Sequence, residues 1–130
     1  MHWKNCHLVI GGLGLVLFIL QGQYMARILG VADLPDAARM MYRSAHIYLL
    51  LASVANVIAG YFMTPTAVVH LLQRLVGVVL LLAPVLFIWS FFNESAIATL
   101  DRPLAKTGLY LLFGAAALLL LDAVYRRLRH

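Results

Sequence analysis

Arg39-Met-Met-Tyr-Arg43-Ser-Ala-His46-Ile-Tyr-Leu-Leu-Leu-Ala-Ser53-Val-Ala-Asn56-Val-Ile-Ala-Gly60 is the stretch that decides how the chain is read. It is apolar enough to sit in a bilayer, yet its polar residues are not scattered. Arg39, Arg43, His46, Ser53, Asn56 and Gly60 recur at spacings of three, four and seven, which places them on one stripe of a helix. A membrane helix turns such a stripe away from lipid, towards other helices or a water-filled cavity.

The rest of the chain repeats the apolar part of that pattern. Of its 130 residues, 64% are hydrophobic and 12% charged. Soluble domains carry roughly 25% charged and about 45–50% apolar residues. Here the apolar excess is gathered into four runs, approximately 8–29, 41–62, 67–92 and 104–124. Each is long enough for the ~20 residues that a membrane helix needs. The loops are short, so neighbouring helices should pack antiparallel. The expected fold is an all-α integral membrane protein, one domain over 1–130, with four transmembrane helices in an up-down-up-down antiparallel bundle.

Local signals place the boundaries. The first run follows a basic start that resembles a signal peptide, but Gln21-Gly-Gln-Tyr-Met offers no small-x-small cleavage site, so the run is read as a retained helix. Gly11 and Gly14 share a face with Phe18 and Gln21 and would let another backbone approach closely. In Val31-Ala-Asp33-Leu-Pro35-Asp36, Asp33 is the expected N-cap, which starts the second helix near Leu34. Thr64-Pro65 repeats this start signal for the third run, and Pro84 is expected to kink that run.

The net charge of +5 comes from Lys and Arg at the ends of the runs. That placement suits topology and contact with anionic lipid rather than nucleic acid, because no basic patch is interleaved with exposed aromatics. With both termini on side A, Lys4, Arg126, Arg127 and Arg129 lie there, and Arg27, Arg39, Arg43, Arg102 and Lys106 lie on side B. The C-terminal basic cluster abuts the last span and favours cytoplasmic termini, hence a multi-pass protein of the cell membrane. Cys6 is the single cysteine, which excludes an intrachain disulfide and a polythiolate metal site.

Three constellations are candidates for chemistry. On side B, Arg43, His46, Gln21, Tyr24 and Glu94 fall at related depths and are expected to line a polar pocket for an anionic or quinone-like ligand. The competing reading lets Arg39 and Arg43 reach headgroups while His46 bonds a neighbouring helix. Towards side A, Arg74 and Asp122 are expected to form a buried ion pair. Ser53 and Asn56, at mid-membrane, are expected to make interhelical polar contacts. No catalytic set emerges. His7 and His70 share side A beside Cys6, but His7 falls at the terminus and no further ligands accompany it, so no metal site is assigned and the cofactor stays unknown.

Two resemblances bear on function. Size and helix count are similar to the small multidrug transporters, which use a glutamate in helix one, and this helix one has no acidic residue. Arg27-Ile-Leu-Gly30-Val, then Arg39 and Arg43-Ser-Ala-His46, resembles the start of helix two in the membrane-associated eicosanoid and glutathione metabolism family. That family continues to an Asn and a Glu that hold glutathione, where this chain has Ile47-Tyr48-Leu49-Leu50-Leu51. The expectation is a non-catalytic subunit of a membrane complex, or a homo-oligomer, surrounded by lipid. The alternatives are a small transporter or channel using the Arg43–His46 stripe, and a membrane enzyme of the glutathione-family kind.

Overall fold

The computed structural model describes residues 3–62, 70–97 and 101–128, with His70 and Arg126 as backbone only. Four helices dominate: α1 (Trp3–Arg27), α2 (Asp36–Phe62), α3 (His70–Asn93) and α4 (Pro103–Leu128). All four are long and apolar enough to cross a membrane, and no strand occurs among the described residues. The expected start of the third helix at Thr64-Pro65 lies outside the described residues.

The α1–α2 connection departs from the sequence expectation. Gly30 takes a left-handed conformation (φ 57°) that a side chain would disfavour, and it turns the chain out of α1. A 3-10 turn over Val31–Asp33 follows, with Asp33 N–H donating to Gly30 O at 2.9 Å. Asp33 thus belongs to this turn, three residues ahead of the first residue of α2, and does not occupy its N-cap position. Leu34 is extended, as a residue before proline must be, and α2 begins at Asp36. The α4 start is simpler: Pro103 occupies the first helical position, where its missing N–H costs nothing.

Small residues set the α1–α2 seam. A Cβ at Gly11 would come within 2.7 Å of Val57 Cγ2, and one at Gly14 would collide with the Ser53 hydroxyl. Both glycines are thus consumed by the close approach of α2. Leu8 meets Gly60, Gly11 meets Val57 and Gly14 meets Ser53, so residue numbers rise along α1 as they fall along α2.

The main core lies between α2, α3 and α4, built on Leu49, Ala52, Leu80, Ala83, Phe87 and Leu112. A second cluster of Met25, Val31, Ala45 and Phe91 closes the side-B end, with Tyr24 and Tyr42 packed against it. α2 and α3 are the central pair. α1 packs chiefly on α2 and α4 chiefly on α3, and among the described residues α1 and α4 do not touch. The bundle is therefore open along that side, and both outer helices present broad apolar flanks that include Val16, Ile19, Phe113 and Leu120.

Candidate functional site

The deepest polar cluster starts from a proline. Pro84 sits inside α3, which continues through it. It has no N–H to return to the carbonyl four residues back, at Leu80. Asn56 on α2 supplies the missing donor, Nδ2 to Leu80 O at 2.7 Å, and also donates to Ala52 O at 2.9 Å. Because that nitrogen faces two carbonyls, Asn56 Oδ1 is the acceptor for His7 Nδ1 on α1, at 2.8 Å. The tautomer of His7 follows: Nδ1 carries the proton and Nε2 the lone pair. His7 is fully buried, with the Trp3 ring edge-on at 5.7 Å. This corrects its placement at a free terminus, since α1 begins at Trp3 and not at Leu8. Asn56 makes interhelical contacts as the stripe implies. Ser53 bonds within α2, Oγ to Leu49 O at 2.6 Å, and meets α1 through its packing on Gly14.

A second cluster sits at side B. Glu94 is buried beyond the end of α3 and accepts from the backbone N–H of Leu104 (2.6 Å) and Ala105 (3.0 Å), two of the free amides at the start of α4. Ser90 Oγ donates to Glu94 Oε2 at 2.6 Å. Arg102, also buried, reaches Ser44 Oγ at 2.7 Å, with Ser90 and Ser95 at 3.4 and 3.5 Å. Burial lowers the Arg102 pKa from its ordinary value, and the Glu94 carboxylate acts in the opposite sense. The cluster ties α2, α3, the last loop and α4 into one joint.

The third arrangement joins α1 and α2 near side B. His46 Nδ1 pairs with Gln21 Oε1 at 3.0 Å, and the His46 ring stacks on Phe18 with centroids 4.0 Å apart and planes 11° from parallel. Gln21 and Tyr24, one turn apart, line a cleft of about 320 Å³ with Leu17, Leu49, Ile88 and Phe92.

Of the five residues expected in the side-B pocket, the structure joins three: Gln21, Tyr24 and, behind Gln21, His46. Arg43 is exposed on another face of α2, so the stripe divides there. Glu94 belongs to the α4 joint. Towards side A, Arg74 is exposed on α3, while Asp122 is half-buried. Asp122 lines a larger cavity of about 590 Å³, shared with Gln73, Ala55, Ile58 and Ala116. The expected burial therefore fails for Arg74. Arg39 pairs with Asp36, and Lys106 with Asp101 at 3.3 Å, both pairs exposed.

Sequence reasoning missed the roles of His7, Ser44, Ser90, Ser95 and Arg102. Two signals pointed to them: the four-residue offset from Pro84 to Leu80, which demands a donor, and the four-residue spacing of Ser90 and Glu94. Comparison with protein-family models, curated proteins and solved structures returns no match.

Proposed function

We propose that the chain is a multi-pass protein of the cell membrane that acts as a structural or accessory subunit of a membrane complex, or as a homo-oligomer. Its helices alternate up-down-up-down across the bilayer. The basic C-terminal segment, with Arg126, Arg127 and Arg129, keeps both termini in the cytoplasm.

The observation that carries this reading is the open side of the bundle. The most apolar windows of α1 and α4 are only 22% and 17% buried, against 39% and 44% for α2 and α3. On α4 the exposed positions Gly114, Ala117 and Leu121 share a face, and a Cβ at Gly114 would meet nothing within 4 Å. Small residues on an outer face let a further helix approach closely. The two buried charged residues, Arg102 and Glu94, are both engaged in joining helices, as a scaffold requires.

Native mass spectrometry of the protein extracted in mild detergent tests the proposal. The expected result is a homo-oligomer or a co-purifying membrane subunit. A monomer that carries lipid alone would refute it.

A further inference from the structure

We propose that the cleft between α1, α2 and α3 binds a neutral lipophile through a carbonyl oxygen, a quinone or comparable ring ketone, with Gln21 as the donor.

The argument begins with what Gln21 has left to offer. Its side chain is 8% exposed, so its amide is committed to the protein interior and the cleft. The amide oxygen is taken by His46, and among the described residues its nitrogen bonds no protein acceptor. His46 is itself held by stacking on Phe18, and with the proton on its Nδ1 it donates to the amide oxygen and leaves the nitrogen end for the cleft. The nitrogen faces an apolar cleft, and a ligand that brings a carbonyl acceptor there gains a hydrogen bond that the walls do not supply. The Tyr24 hydroxyl, one turn towards side B, likewise has no described protein partner and provides a second donor at the rim.

The walls choose the rest of the ligand. Leu17, Leu49, Ile88 and Phe92 are apolar, and no charged side chain lines the space. Arg43 is exposed elsewhere, and Arg102 and Glu94 are bonded within the α4 joint. An anion would meet no cation here, and a cation no carboxylate. Donors without charge in an apolar cleft select a neutral acceptor. The volume of about 320 Å³ falls in the range of small-molecule sites.

Depth completes the match. Gln21 lies six residues before the end of α1, about 9 Å at 1.5 Å per residue, and Leu17 lies about 6 Å deeper. A ring carbonyl at Gln21 would sit beneath the headgroups with its apolar body running past Leu17 towards the bilayer centre.

Calorimetric titration of the full chain in detergent micelles tests this with three probes that share a ten-carbon tail: decyl-benzoquinone, decylbenzene and decanoate. The expected result is saturable binding of the quinone at one site per chain, with decylbenzene and decanoate showing only micelle partition. Gln21→Leu should weaken quinone binding about five- to tenfold and Tyr24→Phe about threefold, the loss of one hydrogen bond each. Arg43→Ala should leave it unchanged. Decylbenzene binding as tightly as the quinone would show that the cleft reads apolar surface alone and overturn the proposal. Tighter decanoate binding would overturn it in favour of an anion site. The comparison of probes uses the unmutated protein, so a variant that fails to fold does not remove the test.

Discussion

The bond from Asn56 to the Leu80 carbonyl exists because Pro84 cannot make it, and this dependence is measurable. Asn56→Leu strips the donor from Leu80 O and the acceptor from His7 Nδ1, two buried groups on two other helices. An unmade buried hydrogen bond costs about 1–3 kcal/mol. Polar contacts between membrane helices measure lower, about 0.6 kcal/mol on average and about 1.7 at most. The expected destabilisation is therefore about 2–3 kcal/mol for the pair of groups. Pro84→Ala restores an N–H that can close the helical bond to Leu80. In that background Asn56→Leu orphans only His7, and its cost should fall by about 1 kcal/mol. The assay is reversible unfolding in mixed micelles, followed by circular dichroism, for the single variants and the double variant. If the two substitutions add to within about 0.3 kcal/mol, Asn56 does not serve the proline gap and the reasoning fails.

Three further outcomes are expected. Gly14→Ala places a methyl against the Ser53 hydroxyl and should destabilise by about 1–3 kcal/mol, whereas Gly12→Ala enters open space and should be neutral or stabilising by about 0.4–1 kcal/mol, both read in the same unfolding assay. His7→Ala should destabilise by about 1–2 kcal/mol through the orphaned Asn56 oxygen, and cysteine accessibility at Cys6 should rise as the start of α1 loosens; unchanged labelling at Cys6 would contradict the anchoring role. Glu94→Ala should cost more than Arg102→Met, because it both uncaps α4 and leaves Arg102 buried beside no carboxylate, while Glu94 without Arg102 keeps two backbone amides and Ser90; the reverse order in thermal unfolding would sink this account.

Periodicity carried the fold a long way, and particular residues show where it stopped. The stripe on α2 turned Ser53, Asn56 and Gly60 away from lipid, and the structure sets them against α1, with Asn56 also reaching α3, because a span surrounded by partners turns its polar and small residues inwards. It misplaced Arg43, since near the membrane boundary an arginine can turn outwards at little cost and periodicity no longer constrains it. Arg74, one of the residues proposed as a buried ion pair, escapes for the same reason. Asp33 followed by Leu-Pro reads as a cap, but the left-handed Gly30 leads into a 3-10 turn that ends at Asp33 and delays α2 to Asp36, a backbone choice that composition does not reveal. Of the side-B site, Gln21, Tyr24 and His46 were legible from matching depth. Glu94 had the depth but not the direction, since its partners are the first amides of α4, the nearer of them ten residues further along the chain.

Three of the buried polar groups share a logic that separates the candidate site from the scaffold. Asn56 fills the donor that Pro84 lacks. Glu94 accepts from amides that the first turn of α4 leaves free. Ser53 adds a second donor to the Leu49 carbonyl within its own helix. In each case a side chain is bonded to backbone, either one that the fold leaves short of a partner or one in its own helix, and stability alone accounts for its presence. His7 and Arg102 bond only side chains, but side chains of these same backbone-bound clusters, whereas the Gln21–His46 pair is joined to no backbone group and to neither cluster. One bond joins the two side chains, and the amide nitrogen of Gln21 remains beside an apolar cleft. A leucine and a phenylalanine at these two positions would pack the α1–α2 seam without burying any polar atom, so stability gives no reason for the pair. A polar pair that the backbone does not require is where a ligand is expected, and the cleft beside Gln21 is where it should first be sought.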